Sequence, residues 1–275
     1  MTKKNLVYVW SLRNAAADTA GQWIDYKNEQ RYMKSVLEYL AEQLNTTSLG
    51  DLYTLVGIIF DDDMSLAKDA EKLQDYGTHR QQGNGSWFYP ENLEVQGQLL
   101  DDLLISVPSS YRQWPEDHPK KQAGKDEFEY QLQAKLDELN ADVVMLDGLL
   151  VILQQLADSE GPYYKKIANI HPGITRLDSP YERRGATGTL DALYGARGLK
   201  VTDWKTMATA PAEVKSKTGA SFHYIDKSID SGPVITDVLN TDISPEDTIL
   251  ELRWNNFNLS LFPAMVNGLR IMAEQ

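Results

Sequence analysis

The sequence predicts an α/β protein: a Rossmann-like, mostly parallel sheet flanked by helices and completed by a C-terminal β-hairpin and helix. Three observations lead there. Leu6-Val7-Tyr8-Val9-Trp10 is an apolar run of strand length at the start of the chain. Leu55-Val56-Gly57-Ile58-Ile59-Phe60 and Ala141-Asp142-Val143-Val144-Met145-Leu146 are two more, each following a segment of helical periodicity. Parallel strands need a crossover between them, and strand–helix–strand spacing supplies it.

Taken in order, Leu6 to Trp10 is expected as a buried first strand. Residues 29–45 carry Met33, Val36, Leu37, Leu40 and Leu44, the spacing of an amphipathic helix. The strand 55–60 stops at Asp61-Asp62-Asp63, read as solvated acids at a strand end. Residues 76–92 are rich in Gly, Asn, Ser and aromatics and are expected to be loop. Residues 108–124 hold Pro108, Pro115 and Pro119 among charges and are expected to form a surface excursion. Phe128, Leu132, Leu136 and Leu139 stripe the next helix. The strand 141–146 then runs into Asp147-Gly148-Leu149-Leu150-Val151-Ile152-Leu153.

Beyond His171 the chain is irregular as far as Arg184, helical over 186–195, and irregular again over 198–217. Residues 220–240 read as a hairpin. Ser244-Pro245-Glu246-Asp247 is expected to open the last helix, with serine as N-cap, proline at the first helical position and acids in the first turn. That helix carries Leu250, Trp254, Phe257 and Leu261, and Pro263 should kink or interrupt it. The pattern resumes after each excursion, so one domain over 1–275 is expected.

Composition excludes several function classes. Lysine and arginine total 27 against 40 acids, giving a net charge of −13 and a pI near 4.8. A nucleic-acid binder needs a basic footprint, and no basic run is present, so no nucleic-acid partner is expected. No apolar run is long enough to span a bilayer, and no signal-like segment opens the chain; no membrane partner and a cytoplasmic location are expected. Cysteine is absent, which removes disulfides, cysteine nucleophiles and thiolate metal sites. His79 and His118 lie in polar loops with no partner at ligand spacing, so no metal is expected. Nothing in the pattern specifies an oligomeric state.

One constellation carries chemistry. Asn169 and His171 stand two apart in Asn169-Ile170-His171-Pro172, so an extended strand aims both at one spot. Asp230 sits in the turn of the hairpin His223-Tyr224-Ile225-Asp226-Lys227-Ser228-Ile229-Asp230-Ser231-Gly232-Pro233. Singly, each suits a structural role, as a turn cap, a buried imidazole or a turn former. Together, an amide, an imidazole and a carboxylate can manage an oxyanion and a proton, which suggests acyl transfer without a serine or cysteine nucleophile. His223, at the start of the hairpin, could touch the site or only pack in its strand, and the strand role is expected.

These residues resemble the signature of the formyltetrahydrofolate-dependent formyltransferases. The resemblance rests on Asn169-Ile170-His171-Pro172, then Gly219-Ala220-Ser221-Phe222-His223-Tyr224, then Ile229-Asp230-Ser231-Gly232-Pro233-Val234-Ile235. Asp142 to Gly148, followed by Ile152-Leu153, resembles the strand and loop before the signature. The good match spans about residues 140–260. It implies the formyltransferase fold, N10-formyltetrahydrofolate as co-substrate and Asn169, His171 and Asp230 as the catalytic set. It also implies a folate pocket built from Leu149, Leu150, Val151, Ile152 and Leu153 with Tyr224, Ile225, Asp226 and Ile229.

The whole chain further resembles the siderophore branch of that family, whose members formylate the side-chain hydroxylamine of N5-hydroxyornithine. The partners implied are folate and a small amino-acid substrate. Another amine acceptor, such as an amino sugar, or a non-catalytic folate-binding protein are the alternatives. In the ribonucleotide branch a Gly- and Ser-rich turn after the first strand holds a phosphate. Here that place reads Trp10-Ser11-Leu12-Arg13-Asn14-Ala15, with no glycine to wrap an anion. Asp147 stands where relatives carry a small residue. An amino-acid acceptor needs a partner for its carboxylate, and Arg13, Arg176, Arg183 and Arg184 are the candidates, each otherwise an ordinary surface arginine, while Asp147 meets either a substrate ammonium or only water.

Overall fold

A computed structural model describes residues 2–74, 76 and 87–275. The chain opens with β1 (Lys4–Trp10), α1 (Leu12–Ala17) and a hairpin of β2 (Gln22–Tyr26) and β3 (Glu29–Met33). Then come α2 (Val36–Thr46), α3 (Leu49–Leu52), β4 (Tyr53–Phe60) and α4 (Ala67–Lys72). Two short strands, β5 (Glu94–Val95) and β6 (Gln98–Leu99), precede β7 (Leu104–Ser106), α5 (Pro119–Glu138), β8 (Val143–Asp147) and β9 (Ile167–His171). The last part comprises α6 (Gly188–Ala196), β10 (Leu199–Asp203), β11 (Ala208–Pro211), β12 (Lys217–Tyr224), β13 (Val234–Asp242), α7 (Ile249–Asn256) and α8 (Phe262–Ala273).

The central sheet has seven strands in the order β13-β12-β9-β8-β1-β4-β7. The five strands from β9 to β7 are parallel, and β12 and β13 add an antiparallel edge. Both faces are covered. Leu6, Tyr8 and Trp10 of β1 face a core shared with α2, α8 and the aromatics Phe88 and Tyr89. Val7 and Val9 face a second core under α5, filled by Phe128, Leu132 and Leu136. Alternate burial on two faces is why β1 reads as a continuous apolar run. From β1 the chain moves first to β4 and β7 on one side, then to β8 and β9 on the other. That reversal opens a crevice at the carboxyl ends of β1 and β8, the usual ligand position in open α/β sheets.

Several local expectations are corrected. Residues 29–33 are strand, not helix: Lys27 takes a left-handed turn conformation (φ 53°) and lets β3 pair back on β2. The helix starts only at Val36, where Ser35 accepts a bond from the Glu38 amide. Pro119 does not belong to the excursion; it opens α5, capped by His118. The expected irregular stretch 198–217 contains the β10–β11 hairpin, whose turn is tied by the Asp203 carboxylate accepting from the Lys205 amide and the Thr206 hydroxyl, both at 2.8 Å. Few of its residues are buried, so no apolar alternation marked it.

Ser244 does not cap the last helix; α7 begins four residues later with a Thr248–Glu251 capping box, and Ser244 opens the turn before it. Pro263 does interrupt the helix: Phe257–Leu261 forms a π-turn before α8 starts. Within the expected loop 76–92, residues 77–86 and with them His79 lie outside the described residues. Trp87, Phe88 and Tyr89 are buried, and Phe88 packs edge-on against Trp10 at 5.6 Å. Among the described residues no helix is long and apolar enough to cross a membrane.

Candidate active site

The crevice at the strand carboxyl ends is a cavity of about 570 Å³. Asn169, His171, His223 and Asp230 all line it. Their convergence follows from strand register. Asn169 and His171 share a face of β9, and His223 of β12 stands directly opposite Asn169, which puts it on the same face. The connection 225–233 folds back over that face and delivers Asp230, itself in the left-handed region (φ 47°). Gly232 makes the return possible, because a Cβ there would lie 1.8 Å from the Tyr224 carbonyl oxygen.

Asp230 is the hub. Its Oδ2 accepts the Gly185 amide at 2.8 Å and lies 3.4 Å from His171 Nδ1. Its Oδ1 lies 3.4 Å from Asn169 Nδ2 and 3.5 Å from His223 Nε2. Burial pushes the Asp230 carboxyl up, but the His223 contact, the His171 ring and the Gly185 amide outweigh it and hold it at about 2. His171 bonds the Arg183 carbonyl through Nε2 at 2.7 Å, so its Nδ1 is the nitrogen that faces Asp230. Burial lowers the His171 pKa against the opposing pull of Asp230 and the Arg183 carbonyl. His223 Nδ1 donates to the Tyr224 carbonyl at 2.8 Å, which turns Nε2 toward Asn169 Nδ2, 3.4 Å away. A neutral imidazole, an ionised carboxylate and an amide meet on one wall of a cavity, a set able to move a proton and bind an oxyanion.

No family model and no curated protein matches the sequence. Among solved structures, PvdF of pyoverdin biosynthesis, an N10-formyltetrahydrofolate-dependent formyltransferase, is 60% identical over 100% of both chains, with a TM-score of 0.94. This chain belongs to the N10-formyltetrahydrofolate-dependent formyltransferases. More distant structures share the fold. Phosphoribosylglycinamide formyltransferase from Anaplasma phagocytophilum is 17% identical over 99% of this chain and 88% of its own, with a TM-score of 0.52. A formyltetrahydrofolate deformylase from Pseudomonas syringae pv. tomato is 17% identical over 99% of this chain and 62% of its own, with a TM-score of 0.55.

In the formyltransferase the segment Leu149–Leu153 lines the cavity in full. Glu129 of α5 holds its far end, accepting the amides of Gln154, Gln155 and Leu156 at 2.8, 2.8 and 3.1 Å. Ile225, Asp226 and Ile229 line the facing wall. Leu150 and Ile229 are among the chain's exposed large apolar side chains, at 60% and 61%. Tyr224 is the exception among the residues expected at the folate pocket. Alternation along β12 puts it on the opposite face from His223, in the main core, with its hydroxyl on Gln275.

The arginine candidates are corrected as well. Arg13 does not line the cavity; it pairs with Asp62 at 2.9 Å, Asp61 at 3.1 Å and Asp69 at 3.4 Å. Asp61 and Asp62, expected as solvated acids, are 2% and 3% exposed because this arginine and the first amides of α1 neutralise them. Arg176 pairs with Asp237 at the surface, Arg183 donates to the Glu182 carbonyl, and Arg184 donates to the Thr175 carbonyl; none lines the cavity.

Asp147 does line it, at the end of β8, bonded to the Tyr8 hydroxyl. Burial raises its carboxyl to about 7, the Tyr8 bond lowers it in part, and nearby Asp18 raises it further. His223, expected in the strand role, lines the cavity, because the antiparallel register that sets it opposite Asn169 is not written in a single strand. Arg253 of α7 reads as an ordinary helix-surface residue until the fold brings it to the cavity. Among the described residues no group of three or more His, Cys, Asp or Glu is arranged to hold a metal.

Proposed function

We propose that the protein transfers the formyl group of N10-formyltetrahydrofolate to the side-chain hydroxylamine of N5-hydroxyornithine, giving a hydroxamate for a siderophore of the pyoverdin type. We read residues 1–275 as one catalytic unit. The observation that carries the reading is the convergence of Asn169, His171, His223 and Asp230 on one wall of a cavity whose other wall is the apolar segment 149–153. The likeness to PvdF over the whole chain supports the pathway.

The folate ring packs between Leu149–Leu153 and Ile225–Ile229, which brings its formyl carbon to the polar wall. The hydroxylamine nitrogen is weakly basic and neutral near physiological pH, so it needs placement more than activation. Its lone pair attacks the formyl carbon, and the carbonyl oxygen becomes an oxyanion stabilised by the Asn169 amide N–H. Neutral His171, with its Nε2 proton committed to the Arg183 carbonyl, takes the nitrogen's proton at Nδ1. The resulting imidazolium faces the Asp230 carboxylate, which stays ionised. Collapse of the tetrahedral carbon breaks its bond to N10, and His171 returns the proton to N10 of the departing folate.

A second observation favours an acceptor without phosphate. The start of α1 is filled by the protein's own anion: the Leu12 and Arg13 amides donate to the Asp62 carboxylate at 2.6 and 3.1 Å. An anion-binding helix end that is already satisfied internally has no donors to offer a phosphate.

Rapid mixing of enzyme with formyl-folate and N5-hydroxyornithine tests the proposal. Deformylated folate should form within single turnovers. Asn169→Ala, His171→Ala and Asp230→Ala should each slow that step by about a hundredfold or more while folate still binds. Near-wild-type turnover in all three variants contradicts the assignment.

A further inference from the structure

The catalytic wall and the folate segments occupy only part of the cavity. Its remaining end lies at the carboxyl ends of β1 and β8 and under α7, and it is lined by Ser11, Asp18, Asp147 and Arg253, none of which the formyl-transfer chemistry uses. Trp10 and Asp147 are register partners, so Ser11 and Asp147 are neighbours at the strand ends. Asp18 pairs with Arg253 at 3.0 Å, and that arginine also donates to the Ala17 carbonyl at 2.8 Å.

Three groups here are unspent. Every hydrogen bond of Arg253 runs through Nη1; among the described residues its Nε–Nη2 edge has no partner, although the side chain is only 22% exposed. That edge is the fork that takes a carboxylate in bidentate fashion. The Ser11 hydroxyl is buried to 1% exposure and has no hydrogen-bond partner among the described residues. Asp147 has only the Tyr8 hydroxyl for company and no cation within bonding distance among the described residues. Burial raises the carboxyls of both Asp18 and Asp147, the signature of acids that lack a full complement of positive charge.

An arginine fork beside two carboxyls and a hydroxyl matches one kind of ligand end, in which an anion and a cation are attached to the same carbon. We propose that this end of the cavity grips the α-amino-acid end of the acceptor: Arg253 binds its carboxylate through the Nε–Nη2 edge, while Asp18, Asp147 and the Ser11 hydroxyl surround its ammonium. The inference rests on the function proposed above and deepens it. Fixing the α-carbon here leaves the side-chain arm to span the cavity toward Asn169 and His171, so arm length becomes a selector. A one-methylene-longer hydroxylysine carries its hydroxylamine past the formyl carbon.

The test compares N5-hydroxyornithine with its decarboxylated analogue, the same hydroxylamine without the carboxylate, at saturating formyl-folate. Wild-type enzyme should lose roughly tenfold or more in kcat/KM on the analogue, mainly through KM, as expected for loss of a bidentate charged pair. Arg253→Lys keeps a positive charge for Asp18 but not the fork. It should lower kcat/KM on N5-hydroxyornithine by a similar factor, lower it on the analogue by a much smaller factor, and leave the folate KM unchanged. Thermal melting checks that the variant is folded, and Arg253→Gln gives a second variant with the same expected split.

Asp147→Asn should raise the KM for N5-hydroxyornithine and have little effect on an acceptor whose α-nitrogen is acetylated. Equal wild-type activity on the two acceptors overturns the grip and leaves formyl transfer standing. So does an Arg253→Lys loss that is the same on both. A wild-type enzyme that formylates neither acceptor overturns the function and the grip together.

Discussion

Asp147 and Asp230 are two carboxyls in one cavity with opposite fates. Asp230 is surrounded by groups that favour its charge and is held at about 2, whereas burial raises Asp147 to about 7. The consequence for stability differs in sign. Between its ordinary value of 3.8 and about 7, folded Asp147 keeps a proton that the unfolded chain has lost. The folded state then binds more protons, and stability falls as pH rises through that window. Asp230 does the reverse: its contribution is present above 3.8 and is lost as pH falls toward about 2. Asp147→Asn removes the first effect. Urea unfolding at about pH 5 and about pH 8 should show a smaller loss of stability with rising pH in the variant than in the wild type. An identical pH dependence in both proteins contradicts the burial of this carboxyl.

Residue by residue, legibility depended on whether a local rule applied. Asn169 and His171 could be paired because strand alternation is local, and Asp230 because a polar turn between strands is local. Arg13 misled because a cation near a strand end looks available until its three acidic partners, distant in sequence, are seen. Tyr224 misled because its neighbours line the cavity while alternation turns it into the core.

At the level of elements, α7 is fastened by sequence-local chemistry. The Thr248 hydroxyl accepts from the Glu251 amide at 3.2 Å, and the Glu251 carboxylate accepts from the Thr248 amide at 2.6 Å. The same carboxylate accepts from the Lys27 amide at 2.8 Å and so ties the β2–β3 hairpin to the helix. Thr248→Ala should cost about 1 kcal/mol, read as a lower midpoint in denaturant with unchanged slope. No change in midpoint would mean that tertiary packing alone holds the helix start.

The capping box went unread because Ser244-Pro245-Glu246-Asp247 offers an equally good start signal four residues earlier. Pro263 announced an interruption but not its form. With no N–H at that position the backbone widens into a π-turn, and Phe257 and Leu261 from that turn both reach the cavity wall. The β10–β11 hairpin left no trace in periodicity, since Val201 alone of its strand residues is buried.

Across the whole molecule the sheet order decides where the chemistry lies. Within the parallel run β9-β8-β1-β4-β7, the strands β1, β4 and β8 were legible as apolar segments, because burial on both faces leaves an unmistakable pattern, and β9 through the spacing of Asn169 and His171, whereas the three half-buried or exposed residues of β7 left no strand signal. What no single segment could disclose is the reversal at β1, which creates the crevice and brings Ser11, Asp147, Asn169 and Asp230 to one cavity from four parts of the chain. Asp61 and Asp62 pair with Arg13 beneath α1, and Asp62 accepts the Leu12 amide at the start of that helix. PvdF and more distant formyltransferases share this fold.

The proposed delivery of a formyl group to a side-chain hydroxylamine nitrogen is the reading on which the rest depends. An isotopically labelled formyl carbon on the folate, followed by magnetic resonance of the products with N5-hydroxyornithine as acceptor, tests it most directly. The label should appear on the hydroxylamine nitrogen as a hydroxamate, in wild-type enzyme and not in His171→Ala. Label recovered as free formate, or on the α-nitrogen, would contradict it.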